Sequence, residues 1–131
     1  MFKKINVVFI SSICLFFFSC SASNDVSTSE KEKQELLDMF ARINEIANSV
    51  KCINADEWRY TSYGSKPCGG PNGYIAYSIK IDTITFLKLI EEHKLAQKKY
   101  NEERGIMSDC SIPAEPIGVT CEKDKAVLLY L

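Results

Sequence analysis

Cysteine is the residue type with the most definite chemistry in this chain, and there are six of them. Cys14 lies in an apolar N-terminal stretch, and Cys20 directly follows a small residue, Ser19. The four that remain are Cys52, Cys68, Cys110 and Cys121. An even number of cysteines in a small exported domain predicts two disulfides formed in an oxidising compartment.

Four cysteines allow three pairings, and the sequence alone does not select one. We expect Cys52–Cys68 and Cys110–Cys121, because each pair closes a short local loop, for which the chain-entropy model gives about 3 kcal/mol. A zinc site made from all four thiolates is the alternative. The sequence has no C-x-x-C pair of the kind typical of zinc sites, so we expect no metal and no other cofactor.

His93 is the only histidine, and it lies on the apolar face of a predicted helix. A Ser78–His93–Asp82 hydrolase triad would lack the G-x-S-x-G turn that projects the nucleophile of such enzymes from a sheet. We therefore interpret His93 as a packed core residue and favour a protein that is not an enzyme. A cleft near His93, serving a small-ligand receptor or an enzyme, is the alternative.

The segment 63–74 is the most unusual in composition, with four of the six glycines, two prolines and one cysteine. Glycine and proline together with a disulfide would make a stiff exposed loop, and such a loop loses little entropy on binding. The alternative is a rigid turn that only closes around its own disulfide. The candidate binding residues are Tyr63, Lys66, Gly69, Gly70, Asn72 and Tyr74.

The N terminus has the layout of a secretory signal: Lys3 and Lys4 precede the uncharged, mostly apolar segment 5–18. The cysteine after Ser19 resembles the lipobox of bacterial lipoproteins, which implies that residues 1–19 are a signal peptide and that Cys20 carries acyl chains such as palmitate. The polar segment 20–28 then predicts a flexible tether to the outer membrane. A plain signal peptide, with Cys20 incidental, is the alternative.

The elements that must position these residues follow from hydrophobic periodicity and end signals. Residues 29–131 predict a single α+β domain with the order α-β-β-α-β-β, in which two helices pack on a small antiparallel sheet. The first helix should start at a capping box formed by Ser29 and Glu32, and the second should run from a cap at Asp82 to Gly105. The predicted segments are a helix over 29–50, strands over 57–63 and 74–80, a helix over 83–104, and a terminal hairpin of 119–121 and 126–131.

The charge balance excludes one class of partner. The chain carries sixteen basic against seventeen acidic residues, and Lys3 and Lys4 belong to the predicted signal peptide. What remains is mixed in sign without a basic stripe, so nucleic acid is not an expected partner.

The motif GSKPCGGP at 64–71, followed by YIAYS at 74–78, resembles a group of small uncharacterised lipoproteins of Bacteroidota. The later pair Tyr100-Asn101 and the triplet SDC at 108–110 resemble the same group. The resemblance implies export and a disulfide-bonded domain, and it carries no activity and no site residue with it.

These patterns together predict an exported, lipid-anchored protein of the cell envelope. The favoured role is to bind another macromolecule through the loop 63–74, as an inhibitor or a protective factor. A purely structural accessory protein is a third hypothesis, which a flat, polar surface would favour.

Overall fold

The computed structural model describes residues 23–131, so the predicted signal peptide and the lipidation of Cys20 lie outside the described residues. The α+β class and the element order are confirmed. Among the described helices, none is long and apolar enough to cross a membrane. The elements are α1 (Ser23–Ala47), a 3₁₀ turn (Ala55–Glu57), β1 (Trp58–Tyr63), β2 (Gly73–Ser78), α2 (Thr83–Arg104), β3 (Gly118–Glu122) and β4 (Lys125–Leu129).

Helix α1 begins earlier than the capping box predicts. Ser29 and Glu32 lie inside the helix, and residues 23–28 of the predicted tether are helical. No glycine or proline occurs between Ser23 and the end of the helix, so nothing in this stretch stops the helix from propagating. The helix ends at Ala47 rather than near Val50.

Helix α2 starts and ends where the sequence predicts. The Asp82 carboxylate accepts a hydrogen bond from the Thr85 backbone N–H at 3.1 Å, and a second from the Thr85 hydroxyl at 2.7 Å. The hydroxyl bond is the main reason that the pKa of Asp82 lies below its ordinary value. Gly105 ends the helix in the left-handed region, at φ 58°.

The hairpin of β1 and β2 forms the middle layer of the fold. Its register places Tyr63 opposite Gly73 and Trp58 opposite Ser78. Successive side chains of a strand point to opposite faces, so Tyr63, Ile75 and Tyr77 share one face. This face packs on the helices, against a core of Ile43, Ala47, Phe86 and Ile90.

The four strands form two separate two-stranded sheets rather than one. Strands β3 and β4 pair with each other, and their hairpin packs against β1 and β2. Lys123 and Asp124 turn the hairpin with φ of 50° and 65°, as a two-residue hairpin turn of the primed type requires. The Asp124 carbonyl also accepts a hydrogen bond from the Cys52 N–H at 2.9 Å.

The disulfides join Cys52 to Cys121 and Cys68 to Cys110, with Cα atoms 5.2 and 5.6 Å apart. The predicted pairs Cys52–Cys68 and Cys110–Cys121 are therefore wrong. The zinc alternative is also wrong, since each of the four sulfurs is part of a disulfide. The prediction ranked pairs by closeness along the chain. Packing of the terminal hairpin instead brings Cys121 to Cys52, as the Cys52 N–H bond to this hairpin also shows.

Candidate functional site

Residues 64–71 and 106–112 lie next to each other at the C-terminal end of α2, and we call this pair of segments the clasp. Cys68 and Cys110 join them covalently. The tip is exposed to solvent at Pro67, Cys68, Gly69 and Gly70. The clasp is thus an exposed surface whose two segments cannot separate.

Lys66 holds the clasp together from within. Its ammonium donates to the Ser111 carbonyl at 2.6 Å and to the Ser111 hydroxyl at 3.0 Å, and it lies 3.4 Å from the Asp109 carboxylate. Its side chain is only 17% exposed. The Ser111 hydroxyl and then Lys66 hold the pKa of Asp109 below its ordinary value. Lys66 therefore acts mainly as a structural cross-link.

Helix α2 anchors the base of the clasp through two amides. The Gln97 side-chain oxygen accepts from the Ser65 N–H and from the Asn72 amide, both at 2.8 Å. The Asn101 amide, which is buried, donates to the Ser65 carbonyl at 2.8 Å. Gln97 was missed in the sequence analysis, although two amides four residues apart share one helix face and can reach one loop.

The clasp glycines serve the backbone in two ways. Gly64 has φ +73°, and a Cβ there would lie 2.5 Å from Asn72 Nδ2. Gly69 and Gly70 also have positive φ, yet a Cβ at either would meet nothing within 4 Å. Gly69 and Gly70 therefore allow the backbone turn at the tip, and no other atoms crowd their Cβ positions.

The two tyrosines that flank the predicted binding loop lie outside the clasp. Tyr63 is half-buried and stacks on Phe40, with ring centroids 4.7 Å apart. Tyr74 meets Tyr60 edge-on at 6.0 Å, on the other face of the hairpin. The structure thus places Lys66, Gly69, Gly70 and Asn72 in one neighbourhood. The Tyr63 carbonyl accepts from the Asn72 N–H at 2.9 Å, but the rings of both tyrosines pack elsewhere.

Tyr74 borders an open groove of about 420 Å³ between the two hairpins. Partial burial, and then the nearby Glu115 carboxylate, raises the pKa of Tyr74. The other residues lining the groove are Asn48, Trp58, Ile75, Ala76, Ala126, Val127, Leu128 and Tyr130.

The second segment of the clasp is exposed to solvent from Ile106 to Ile112. Residues 106–116 form no helix, strand, turn or bend. Ile106 N–H donates to the Asn101 carbonyl at 3.0 Å, but within the described chain residues 107–116 make no backbone-to-backbone hydrogen bond. Met107 is 91% exposed and Ile112 is 82% exposed. A backbone whose N–H and C=O groups lack main-chain partners can pair with another chain.

His93 is a packed core residue, as predicted. It is 4% exposed, its ring lies 5.5 Å from that of Phe40, and its Nδ1 has no hydrogen-bond partner. It lines neither the groove nor the cavity of about 260 Å³ between α1 and α2, which Leu36 and Ala96 border. The cleft hypothesis therefore lacks its central residue.

Burial lowers the pKa of His93, and a hydrogen bond to the Leu36 backbone opposes this shift only in part. The unfolded chain binds the proton more readily, so the stability due to neutral His93 is complete above the ordinary pKa of 6.5 and is lost below it. We expect His93→Gln to flatten the decline in the free energy of unfolding between about pH 7.5 and about pH 5. Urea unfolding across this range measures it, and an unchanged slope would contradict the assignment.

The two remaining members of the imagined hydrolase triad have other partners. The Ser78 hydroxyl, fully buried, accepts from the Lys80 N–H at 3.2 Å. The Asp82 carboxylate caps α2. Each side chain thus has a local structural role, and none of the hydrogen bonds in the described chain joins it to His93.

Across the described residues, no group of three or more His, Cys, Asp or Glu side chains is placed to hold a metal ion. No protein-family model, no curated protein sequence and no solved structure matches the chain. The clasp is therefore interpreted from its own geometry.

Proposed function

We propose that this protein is an exported, lipid-anchored protein of the cell envelope that binds another protein through the clasp and catalyses no reaction itself. The observation that carries the proposal is an exposed pair of segments cross-linked by Cys68–Cys110 and by Lys66. A surface that is already rigid loses little entropy when a partner binds, so more of the contact energy remains as affinity.

Export is supported by the disulfides, because structural disulfides persist in oxidising compartments outside the cytosol. A lipid on Cys20, following the predicted signal peptide, would anchor the chain at the outer membrane. Each buried methylene of an acyl chain adds about 0.8 kcal/mol, and two or more chains make the attachment stable. Labelling with a fatty-acid analogue, with Cys20→Ala as the comparison, tests this part of the proposal.

A protein partner is favoured over a small ligand because the clasp carries the exposed apolar side chains of Met107 and Ile112 on a segment without main-chain partners. Small-molecule sites are concave and surround most of the ligand. Proteins recognise extended segments through main-chain hydrogen bonds and through pockets for alternate side chains.

Ile112 offers a sharp test of the clasp as the binding surface. We expect Ile112→Asp to weaken partner capture about tenfold or more, since truncating or charging a central apolar contact commonly has this effect. The full-length protein, extracted in mild detergent, is used to capture proteins from envelope extract and culture fluid, which are then quantified by mass spectrometry.

Ile84→Asp is the matched control, because Ile84 is also 82% exposed. It lies near the start of α2, about 25 Å of helix away from Asn101. Loss of the same captured protein with both variants, or with neither, would contradict the assignment of the clasp.

A further inference from the structure

Both disulfides connect the part of the chain before Met107 to the part after it, which binding alone does not require. Cys52 and Cys68 both precede Met107, and their partners Cys121 and Cys110 both follow it. If the Met107–Ser108 peptide bond were cut, both disulfides would still join the two pieces. The pairing expected from loop length would have let the pieces separate.

The chain is held in place on each side of this bond. Before it, the Ile106 N–H is bound to the Asn101 carbonyl at the end of α2. After it, the disulfide fixes Cys110, and Lys66 binds the Ser111 carbonyl. Met107 lies between these anchors, is 91% exposed and has no main-chain hydrogen-bond partner in the described chain.

Resting on the proposed function, we infer that residues 106–112 are a substrate-like binding segment for a serine endopeptidase, and that Met107 enters the primary specificity pocket of that enzyme. Endopeptidases bind their substrates as extended chains through main-chain hydrogen bonds, and the main chain around Met107 has no main-chain partners that would compete with such bonds. Methionine is unbranched and flexible and fits apolar pockets of irregular shape. The partner should therefore have an apolar primary pocket.

The anchors give the segment the behaviour of an inhibitor rather than a substrate. Attack by the serine hydroxyl of the enzyme would break the Met107–Ser108 bond, leaving the Met107 acyl group as an ester on the serine oxygen and a free amine on Ser108. Because both ends remain tethered, the amine stays close enough to attack this ester, re-form the peptide bond and release the serine hydroxyl before water hydrolyses the ester to a Met107 carboxylate. An ordinary substrate loses its leaving amine to solvent and is released.

The test is inhibition of chymotrypsin, trypsin and elastase, which have a hydrophobic, an acidic and a small primary pocket respectively. The full-length protein is added in mild detergent, and turnover of small chromogenic substrates is followed. We expect inhibition of chymotrypsin and none of trypsin. Met107→Lys should reverse this preference, with each inhibition constant changing by about a hundredfold, because a lysine matches the acidic pocket and not the apolar one.

Met107→Asp should leave none of the three enzymes inhibited. Ile84→Lys, which changes another highly exposed site, should leave the inhibition of chymotrypsin unchanged. Mass spectrometry under non-reducing conditions should show the chain intact, or cut only at Met107–Ser108 with the pieces still joined. Rapid cleavage without inhibition, or a preference that Met107→Lys leaves in place, overturns the inference. If Ile112→Asp still abolishes capture of a protein while no peptidase is inhibited, the inference fails and the proposed function stands.

Discussion

Replacing Cys52 and Cys121 together by alanine lowers the free energy of unfolding by about 4 kcal/mol, the value that the chain-entropy model gives for a long closed loop. The two cysteines are 69 residues apart in sequence, so the disulfide removes many conformations of the unfolded chain. Cys52 is also buried beside the terminal hairpin, and its removal leaves unfilled space in the folded state. Urea unfolding, followed by the fluorescence of Trp58, measures the loss.

The matched control is the double variant Cys68→Ala with Cys110→Ala. These residues are 42 apart in sequence, so the entropic loss is similar, but Cys68 and Cys110 are exposed and leave no cavity. We therefore expect this variant to be the more stable of the two. If it were the less stable one, the Cys52–Cys121 disulfide would not be the one that stabilises the domain more. Peptide mapping without reduction that linked Cys52 to Cys68 would contradict the pairing itself.

Gly64→Ala is expected to lower the free energy of unfolding by about 3 kcal/mol, from left-handed backbone strain and the loss of one or two hydrogen bonds. Gly64 has φ +73°, and a Cβ there would lie 2.5 Å from Asn72 Nδ2 and 2.8 Å from Gln97 Oε1. The side chains that must move are the ones that tie the clasp to α2. The same variant should weaken partner capture, because it loosens the base of the clasp.

Gly69→Ala separates the two causes. Gly69 also has a positive φ, of +92°, but a Cβ there meets nothing within 4 Å. This variant carries the backbone strain alone, so its loss of stability in urea unfolding should be clearly smaller than that of Gly64→Ala. Equal losses would mean that contact with Asn72 and Gln97 contributes nothing.

Local signals were sufficient for most of the secondary structure. Asp82 and Gly105 mark the ends of α2 because a side-chain cap and a left-handed glycine act within one turn of the helix. The capping box at Ser29 was misleading. It marks a favourable helix start, but no residue before it prevents the helix from beginning at Ser23.

The candidate site was only partly predictable. Composition identified the stiff loop around Cys68 correctly as a distinctive feature, but residue type did not reveal which of its side chains face solvent. Lys66 and Asn72 are polar and belong to a loop, yet both form hydrogen bonds within the protein, Lys66 with Ser111 and Asn72 with Gln97. Their partners are far away in sequence, so no local pattern could show that these side chains were already hydrogen-bonded.

The α+β order, the extent of α2, the terminal hairpin and the presence of two disulfides could be predicted from local sequence, because propensity, capping and periodicity act over a few residues. The pairing of the cysteines depends on how the elements pack. The terminal hairpin packs beside the segment that precedes β1, and this brings together sulfurs 69 residues apart. Loop entropy ranks the possible pairs only weakly, since it grows with the logarithm of length, whereas the geometry of packing allows a bond only where two Cα atoms come within about 7 Å.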